Sequence, residues 1–577
     1  MIKTILSYVG KYKKESVLSS VAMIGEVSME VLIPLVMAKI IDKGVQGDGG
    51  TSYIVMMGLL MMGMSVLSLL CGCISARLAS VASMGVGANI RAALFKKITC
   101  FSFFSTDKFQ TSSLITRLTT DVTNTQMAYQ MVIRMCFRAP IMFILSLVMA
   151  LKINASLSTI FLVVIPVWLL ALVITMKCGL PRFLKMFKMY DRMNSVVQEN
   201  LTGMRVVKAF VKEDGEKEKF RIAAGDLYAT SISAEKLLVL ANPVMQFGIF
   251  VCTIFVAWFG AKLVINSSLG TGELISYFTY IQQVLNSIMG ISMILVMLVT
   301  ARASIGRICE VLNEEIDITD EGTNPDLVVE NGDIKFDHVN FSFFKDKNRL
   351  TLSDINLEIK SGETIGILGS TGSGKSTVTQ LIPRLYDVLD GAVYVGGRNV
   401  KDYPLNELRN KVAMVLQKNL LFSGTIKDNL RWGNKDATDE EIIDVCKQAQ
   451  AHDFIMSFPD KYDTVLDQGG SNISGGQRQR LCIARALLKK PCVLILDDST
   501  SAVDMATDAA IRSSLKKRQG DVTTIIIAQR INSVQSVDRI VVMNEGRIDA
   551  IGRHDDLIKT NEIYKEVYYS QQKGDED

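Results

Sequence analysis

Nine residues, GSTGSGKST from Gly369 to Thr377, fit the pattern G-x-x-x-x-G-K-[ST]. Gly369, Gly372 and Gly374, with Ser370, Thr371 and Ser373 between them, let backbone N–H groups converge on phosphate oxygens. Lys375 would reach the β- and γ-phosphates, Ser376 would coordinate Mg2+, and Thr377 closes the stretch. A second stretch, CVLILD, ends in Asp497 and is followed at once by Asp498. An acid at the end of a buried strand suits a metal ion held through water, and an acid beside it suits proton handling. A third stretch, NISGGQRQRLCIARALLKK, places Ser474, Gly475 and Gly476 before a long helix beginning near Gln477. Such a helix start, with small residues and unpaired N–H groups, attracts an anion. The chain's own loop already serves one set of phosphates. The second anion site therefore makes sense against a nucleotide on another subunit, and a single copy of each stretch implies a dimer.

The elements that must position these residues are legible around them. ETIGILG reads as a strand leading into the phosphate loop, and CVLILD as a buried parallel strand, apolar on both faces. DIKFDHVNFSFF and LSDINLEIK alternate like strands. The chain has 577 residues, too many for one core, and its net charge of only +4 gives no case for nucleic-acid binding. Three histidines and ten scattered cysteines make a histidine- or cysteine-built metal centre improbable, and Cys71 and Cys73 read as packing residues. Most of the first 300 residues consist of long apolar runs, and an acidic linker follows Arg307.

Six apolar segments, Ser16–Ile41, Tyr53–Ile74, Met131–Leu151, Thr159–Met176, Leu237–Val264 and Leu274–Thr300, suit a hydrocarbon layer of about 30 Å. Arg134 and Arg138 interrupt the third, whose apolar part begins at Ala139, so it is expected to start outside the bilayer. The stretches between segments two and three and between four and five are long and rich in Lys and Arg, which places them and both termini in the cytoplasm. Their periodicity predicts helices continuing beyond the membrane, turning back near Asp107–Ser113 and Lys212–Glu218. The N-terminal MIKTILSYVGKYKKES, lacking a cleavable signal, reads as an amphipathic helix on the inner membrane surface. Glu26 and Glu30 share a helix face midway through the first crossing. They would serve a cationic substrate or a proton, or be satisfied by Gln282, Gln283 or Asn286.

Together these stretches resemble an ABC exporter half-transporter over nearly the whole length. GSTGSGKST is similar to the family's Walker A, LQKNLLFSGTIKDNL with Gln417 to its Q-loop region, ISGGQ to its signature, LILDD to its Walker B and SAVD, ending in Asp504, to its D-loop. TSSLITRLTTDV and ENLTGMRVVKAFVKED resemble the stretches beside its two coupling helices. The resemblance implies an all-α transmembrane domain of six helices fused to an α/β P-loop ATPase domain, with boundaries expected at 1–310, a linker 311–331, and 332–570. It implies ATP and Mg2+ as cofactors, with Ser376, Gln417 and Asp497 at the metal and Ser474, Gly475, Gly476, Gln477 and Asp504 acting in trans. Phe343 stands where an adenine-stacking Tyr is common.

Two departures matter most. The family's general base is usually a Glu, here Asp498, and its switch His is here Gln529, in IIIAQR. LDQGGSN also replaces a stretch that usually carries a Glu before the signature. This pattern resembles the degenerate-site subunit of a bacterial heterodimeric multidrug exporter. The expected partners are a second half-transporter carrying the catalytic Glu and switch His, membrane lipid, and a small amphipathic substrate. The expected location is the cytoplasmic membrane, crossed several times. The alternatives are a homodimeric exporter with a weak Asp base, an ATP-gated regulatory or channel-like subunit, and a soluble ATPase with a membrane anchor.

Overall fold

The computed structural model describes residues 2–498, 503–516 and 522–573. Of the D-loop stretch SAVD, Ser501 and Ala502 lie outside the described residues, while Val503 and Asp504 lie within them. The chain divides into two compact units: Met1–Ile98 with Thr111–Asn313, and Thr99–Gln110 with Glu314–Asp577. Each is described separately below.

The first unit is built on six long helices: α1 Lys13–Lys39, α2 Gly50–Thr99, α3 Val122–Ile153, α4 Ala155–Thr202, α5 Glu213–Ile265 and α6 Thr271–Leu312. At 1.5 Å per residue the 50 residues of α2 run about 75 Å, more than twice a hydrocarbon layer, as the charged extensions predict. Among the described residues, the spans Gly10–Val45, Gly50–Thr99, Thr111–Ile153 and Gln246–Ile265 are long and apolar enough to cross a membrane.

Polar groups on α1, α3 and α6 find partners across the helix interfaces. Pro34 lies inside α1 and has no N–H for the carbonyl four residues earlier, that of Glu30. Gln283 Nε2 of α6 donates to that carbonyl instead, at 3.4 Å. Gln283 Oε1 accepts from Ser146 Oγ of α3 at 2.8 Å, and Tyr280 Oη donates to Val31 O at 2.8 Å. At the other end of α1, Asp42 accepts from the N–H groups of Gly272 and Glu273 at 2.7 and 3.1 Å, capping α6 from a neighbouring element.

Three expectations about this unit are corrected. First, Glu26 and Glu30 are not satisfied by Gln282, Gln283 or Asn286. Arg138 of α3 takes both, Nη1 to Glu26 Oε1 at 2.6 Å and Nη2 to Glu30 Oε2 at 2.7 Å. One of the two arginines that interrupt the third segment is thus the counter-ion of the first helix, and α3 is continuous through it. Second, the turn between α4 and α5 is shorter and earlier than Lys212–Glu218, spanning Phe210–Lys212. A short helix, Met204–Ala209, precedes it, and Glu213 already opens α5. Gly203 and Phe210 end helical runs there, a break that the charge pattern of KEDGEKEK conceals. Third, the N-terminal helix Ile2–Ser7 turns part of its apolar side inward, although Leu6 is 51% exposed. Ile5 and Val9 are buried, and Asn89 of α2 donates to Tyr8 O at 2.8 Å.

In the second unit a four-stranded antiparallel sheet contains β1 Ile334–Phe341, β2 Leu352–Ile359 and β4 Asp390–Val395, in the order β2-β1-β4, with Arg398–Asn399 at the edge. Between β2 and β4 the chain supplies β3 Thr364–Gly369 and α7 Lys375–Leu381, and after them β5 Val412–Val415. Further on come α8 Gly475–Leu488, β6 Val493–Asp497, α9 Met505–Lys516, β7 Thr523–Ile527, β8 Arg539–Asn544, β9 Arg547–Gly552 and α10 Glu562–Lys573. The second sheet has the order β9-β8-β3-β7-β6-β5, parallel except for β9. Every residue of β6 and β7 is buried, the mark of a parallel sheet covered on both faces.

The segment Thr99–Gln110 belongs to this second unit. Its short helix Phe103–Phe109 is capped by Ser102, whose Oγ accepts from Ser105 N at 3.4 Å. The helix packs Phe103 edge-on against Tyr386, ring centroids 6.0 Å apart. Tyr386 Oη donates to Asp107 Oδ2 at 3.0 Å. Burial, then the Asp107 charge, pushes the Tyr386 phenol upward from its ordinary pKa, so it stays a donor. Asp107, expected at the first turn, is therefore a contact with the ATPase-type unit.

Candidate active site

Three adjacent parallel strands deliver the site to one sheet edge. Ile527 of β7 pairs with Asp497 of β6 on one side and Ile367 of β3 on the other. The residues leaving the carboxyl ends of these strands, 369–376, 498 and 529, therefore converge, where open α/β sheets place ligands.

The loop after β3 is shaped by glycines that tolerate no substitute. Gly369 has φ +158°, and a Cβ there would lie 2.2 Å from Met543 O and 2.7 Å from Ser373 Oγ. Gly374 has φ +96°, and its Cβ would meet Leu352 Cδ2 at 2.6 Å. Ser373 is 2% exposed, and its Oγ is buried with no hydrogen-bond partner. Lys375 Nζ folds back onto the carbonyls of Gly369 and Ser370, 2.7 Å each. Burial lowers the Lys375 pKa, opposed by the nearby Asp497 and Asp498 charges. An orphaned hydroxyl and an amine resting on its own loop are what phosphate oxygens would satisfy, so these residues fit a nucleotide's phosphates.

Asp497 is 3% exposed and accepts from Ser376 Oγ at 2.9 Å through Oδ1. Desolvation raises its pKa, the Ser376 hydrogen bond lowers it, and the adjacent Asp498 charge raises it further. A hydroxyl and a carboxylate already in contact form a compact oxygen pair of the kind Mg2+ takes. Asp498 occupies the left-handed region at φ +44°, which Asp tolerates because its short polar side chain bonds locally. Its N–H donates to Ile527 O at 3.0 Å. Its carboxylate accepts from Gln529 Nε2 at 3.0 Å and is hydrogen-bonded to Gln417, which follows β5. Burial raises the Asp498 pKa, while Gln417 and the cations Lys375 and Arg530 lower it. The structure thus brings Lys375, Ser376, Asp497, Asp498, Gln417 and Gln529 together.

The remaining expected residues sit apart from this cluster. Ser474 N-caps α8: its Oγ accepts from Gln477 N at 3.2 Å, and Gln477 Oε1 accepts from Ser474 N at 2.9 Å. Ser474 and Gly475 are exposed. Asp504 caps α9, accepting from Thr507 N at 2.9 Å, and that bond holds its carboxyl below the usual range. Phe343 is half-buried, edge-on to Phe341 at 4.9 Å and to Tyr386 at 5.3 Å. Its neighbour Phe344 is 65% exposed, with the Arg349 guanidinium 4.5 Å from its ring centroid. A platform role suits either ring; the sequence pattern pointed only to Phe343.

Fold and site together define a membrane protein whose helical domain is joined to a nucleotide-binding ATPase domain. A family model described as the ABC transporter transmembrane region matches residues 17–288, and one described as ABC transporter matches 352–501. The chain is 36% identical over 566 residues to the uncharacterized ABC transporter ATP-binding protein YfiB of Bacillus subtilis, covering 98% of each. It is 31% identical over 581 residues to the putative multidrug export ATP-binding/permease protein YgaD of the same organism, covering 98% of this chain and 99% of that one. It is 33% identical over 461 residues to the ATP-dependent lipid A-core flippase of Desulfotalea psychrophila, covering 80% of each. A solved bacterial Atm1-family ABC exporter with ATP bound shares the fold, with a TM-score of 0.79 over 97% of this chain and 98% of that one at 23% identity. The chain belongs to the ABC transporter family, and its ATPase domain couples ATP hydrolysis to export across a membrane.

Proposed function

We propose that this chain is one half of a heterodimeric exporter. In this reading its own ATP site binds Mg2+-ATP and hydrolyses it slowly, while its signature completes the faster site of the companion subunit. The environment of Asp498 carries the proposal. The carboxylate stands one methylene closer to the backbone than a Glu would, and two amides, Gln417 and Gln529, hold it there. Neither amide has a charge or a titrating proton to lend. A general base that stops short of its water forfeits much of the ~10²–10⁴-fold such a group gives.

Bound ATP supplies the phosphoanhydride whose hydrolysis drives transport. Gly369, Gly372 and Gly374 shape the loop for its phosphates, Lys375 would release its carbonyls to meet them, and Ser376, Asp497 and Gln417 would hold the metal. Ser474, Gly475, Gly476 and Gln477 present the α8 N-terminus to the companion's nucleotide, with Asp504 beside it. Exposure of Ser474 and Gly475 supports a role in trans. So do Phe210 and Val211, 71% and 81% exposed at the tip between α4 and α5, an apolar projection that another subunit would cover. The first coupling segment, tied through Asp107 to Tyr386, carries movement of the ATPase domain into α2 and the chain leading to α3.

The protein would reside in the cytoplasmic membrane with both termini inside. Its substrates would be small amphipathic molecules of drug or lipid class, in keeping with the names of two relatives. The pairing with Arg138 leaves Glu26 and Glu30 with one net negative charge, so any cation they take must compete with that arginine.

The test is Asp498→Glu with Gln529→His in the reconstituted pair, which should raise turnover at this site about tenfold or more. The proposal fails if the full-length chain alone consumes ATP briskly and Asp498→Asn abolishes that turnover. This is the outcome expected of a homodimer, and one observation favours it: burial raises the Asp498 pKa, making the carboxylate a stronger base.

A further inference from the structure

The backbone that carries Gln529 leaves β7 at Ile527 and, among the described residues, has no strand beside it at 529 and 530; a short turn, Ile531–Ser533, follows. A side chain from the far end of the chain takes the place of that strand. Gln571 of α10 donates its Nε2 to Gln529 O at 2.7 Å and accepts from Ile531 N at 2.9 Å through Oε1. One primary amide thus pairs with a carbonyl and with the N–H two residues on, the two-point contact a neighbouring strand would make. The helix behind it is anchored. Tyr564 is fully buried, its hydroxyl lies 2.7 Å from His554 Nδ1, and its N–H donates to Asn561 Oδ1 at 2.8 Å.

We propose that Gln571 is a positioning residue for ATP hydrolysis. It holds the 529–531 backbone so that the Gln529 side chain, 3.0 Å from Asp498 Oδ2, keeps the base in place. Nothing in the motifs points to residue 571, which lies 42 positions beyond Gln529. The inference rests on the proposed roles of Asp498 and Gln529, and the experiment separates the two. A net hydrogen bond of about 1 kcal/mol corresponds to roughly a fivefold change in rate if it acts in the transition state.

The measurement is single-turnover hydrolysis of radiolabelled ATP by the reconstituted pair in lipid nanodiscs, with the companion's catalytic Glu replaced by Gln so that only this chain's site turns over, and with MANT-ATP binding in parallel. Gln571→Ala should slow hydrolysis about fivefold while affinity stays within about twofold. Gln571→Glu should be slower still near pH 7.5, because its carboxylate opposes the Gln529 carbonyl and cannot donate. Near pH 4, where the acid is mostly protonated, it regains a donor, and its rate relative to wild type should rise at least about threefold. Arg530 on the loop, Arg512, which donates to Asn532 O at 2.7 Å, and His554 beside Tyr564 also face this region. The wild-type profile measured at each pH removes their contribution. Wild-type rates in both variants alongside a slowed Asp498→Asn would overturn the role of Gln571. Equal slowing of both variants at every pH would reduce it to helix docking and also overturn it. An Asp498→Asn variant as fast as wild type would sink the site assignment itself, and this inference with it.

Discussion

Two carboxylate pairs, one in the membrane helices and one at the ATP site, contrast in how their charge is met. Glu26 and Glu30 share a single guanidinium through two bonds of 2.6 and 2.7 Å, so two acids face one cation within a fixed fork. Asp497 and Asp498 are met by a hydroxyl and two amides, which stabilise negative charge without cancelling it. The nearest amine, Lys375, is bonded to backbone carbonyls instead. The first arrangement stores one cation's worth of compensation within the fold. The second leaves charge for a ligand to neutralise; burial raises the pKa of both acids and lowers that of the lysine, while their mutual attraction opposes each shift. Pairs of carboxylates become structure in one place and chemistry in the other, according to whether a cation bridges them.

The largest expected effect comes from removing that built-in cation. Arg138→Met should destabilise the protein by about 3 kcal/mol or more, because two carboxylates are left unpaired among apolar helices. The triple variant Arg138→Met, Glu26→Gln, Glu30→Gln should recover most of the loss, since amides need only hydrogen bonds. Thermal unfolding in detergent measures both. If the triple variant folds normally yet exports nothing, the pair is functional after all and the contrast drawn here fails.

A smaller effect tests the link between the ATPase unit and its coupling segment. Tyr386→Phe deletes the bond to Asp107 and keeps the aromatic packing, and it should cost about 1.5 kcal/mol, a typical value for a hydrogen bond to a charged acceptor. Transport per ATP hydrolysed, measured in vesicles, should fall more than ATP turnover does.

The smallest effect sharpens the second half of the comparison. Asp498 has a folded-state pKa raised by burial, so its ionised form costs stability. That cost is absent below the ordinary carboxylate pKa and grows as pH rises through the folded-state value. Asp498→Asn should therefore give a small rise in Tm at neutral pH, without nucleotide, and that gain should vanish as pH falls toward 4. A Tm gain independent of pH would place the cause elsewhere.

Much of the ATP site was legible because its parts are local. The phosphate loop needs glycines at fixed spacing for backbone reasons, and Gly369 and Gly374 meet those reasons in the φ values and close approaches observed. β6 announces itself because a strand buried on both faces must be apolar throughout. Arg138 was visible but its partners were not, since hydropathy scores an arginine as an interruption and says nothing about a carboxylate on another helix. Gln571 gave no signal, because its partners are backbone atoms, which carry no residue identity.

The sequence by itself determined the class of machine: long apolar runs demand a membrane, and contiguous phosphate-binding and strand-ending motifs demand an ATPase, each for reasons confined to neighbouring residues. Only the tertiary structure decided which charges are spent on holding helices together and which remain for a ligand. Charge compensation depends on distances of a few ångströms between residues about a hundred or more positions apart, as with Arg138 and Glu26 or Ser376 and Asp497. Coulombic attraction is steep over such distances in a poorly screened interior, and chain spacing does not encode them.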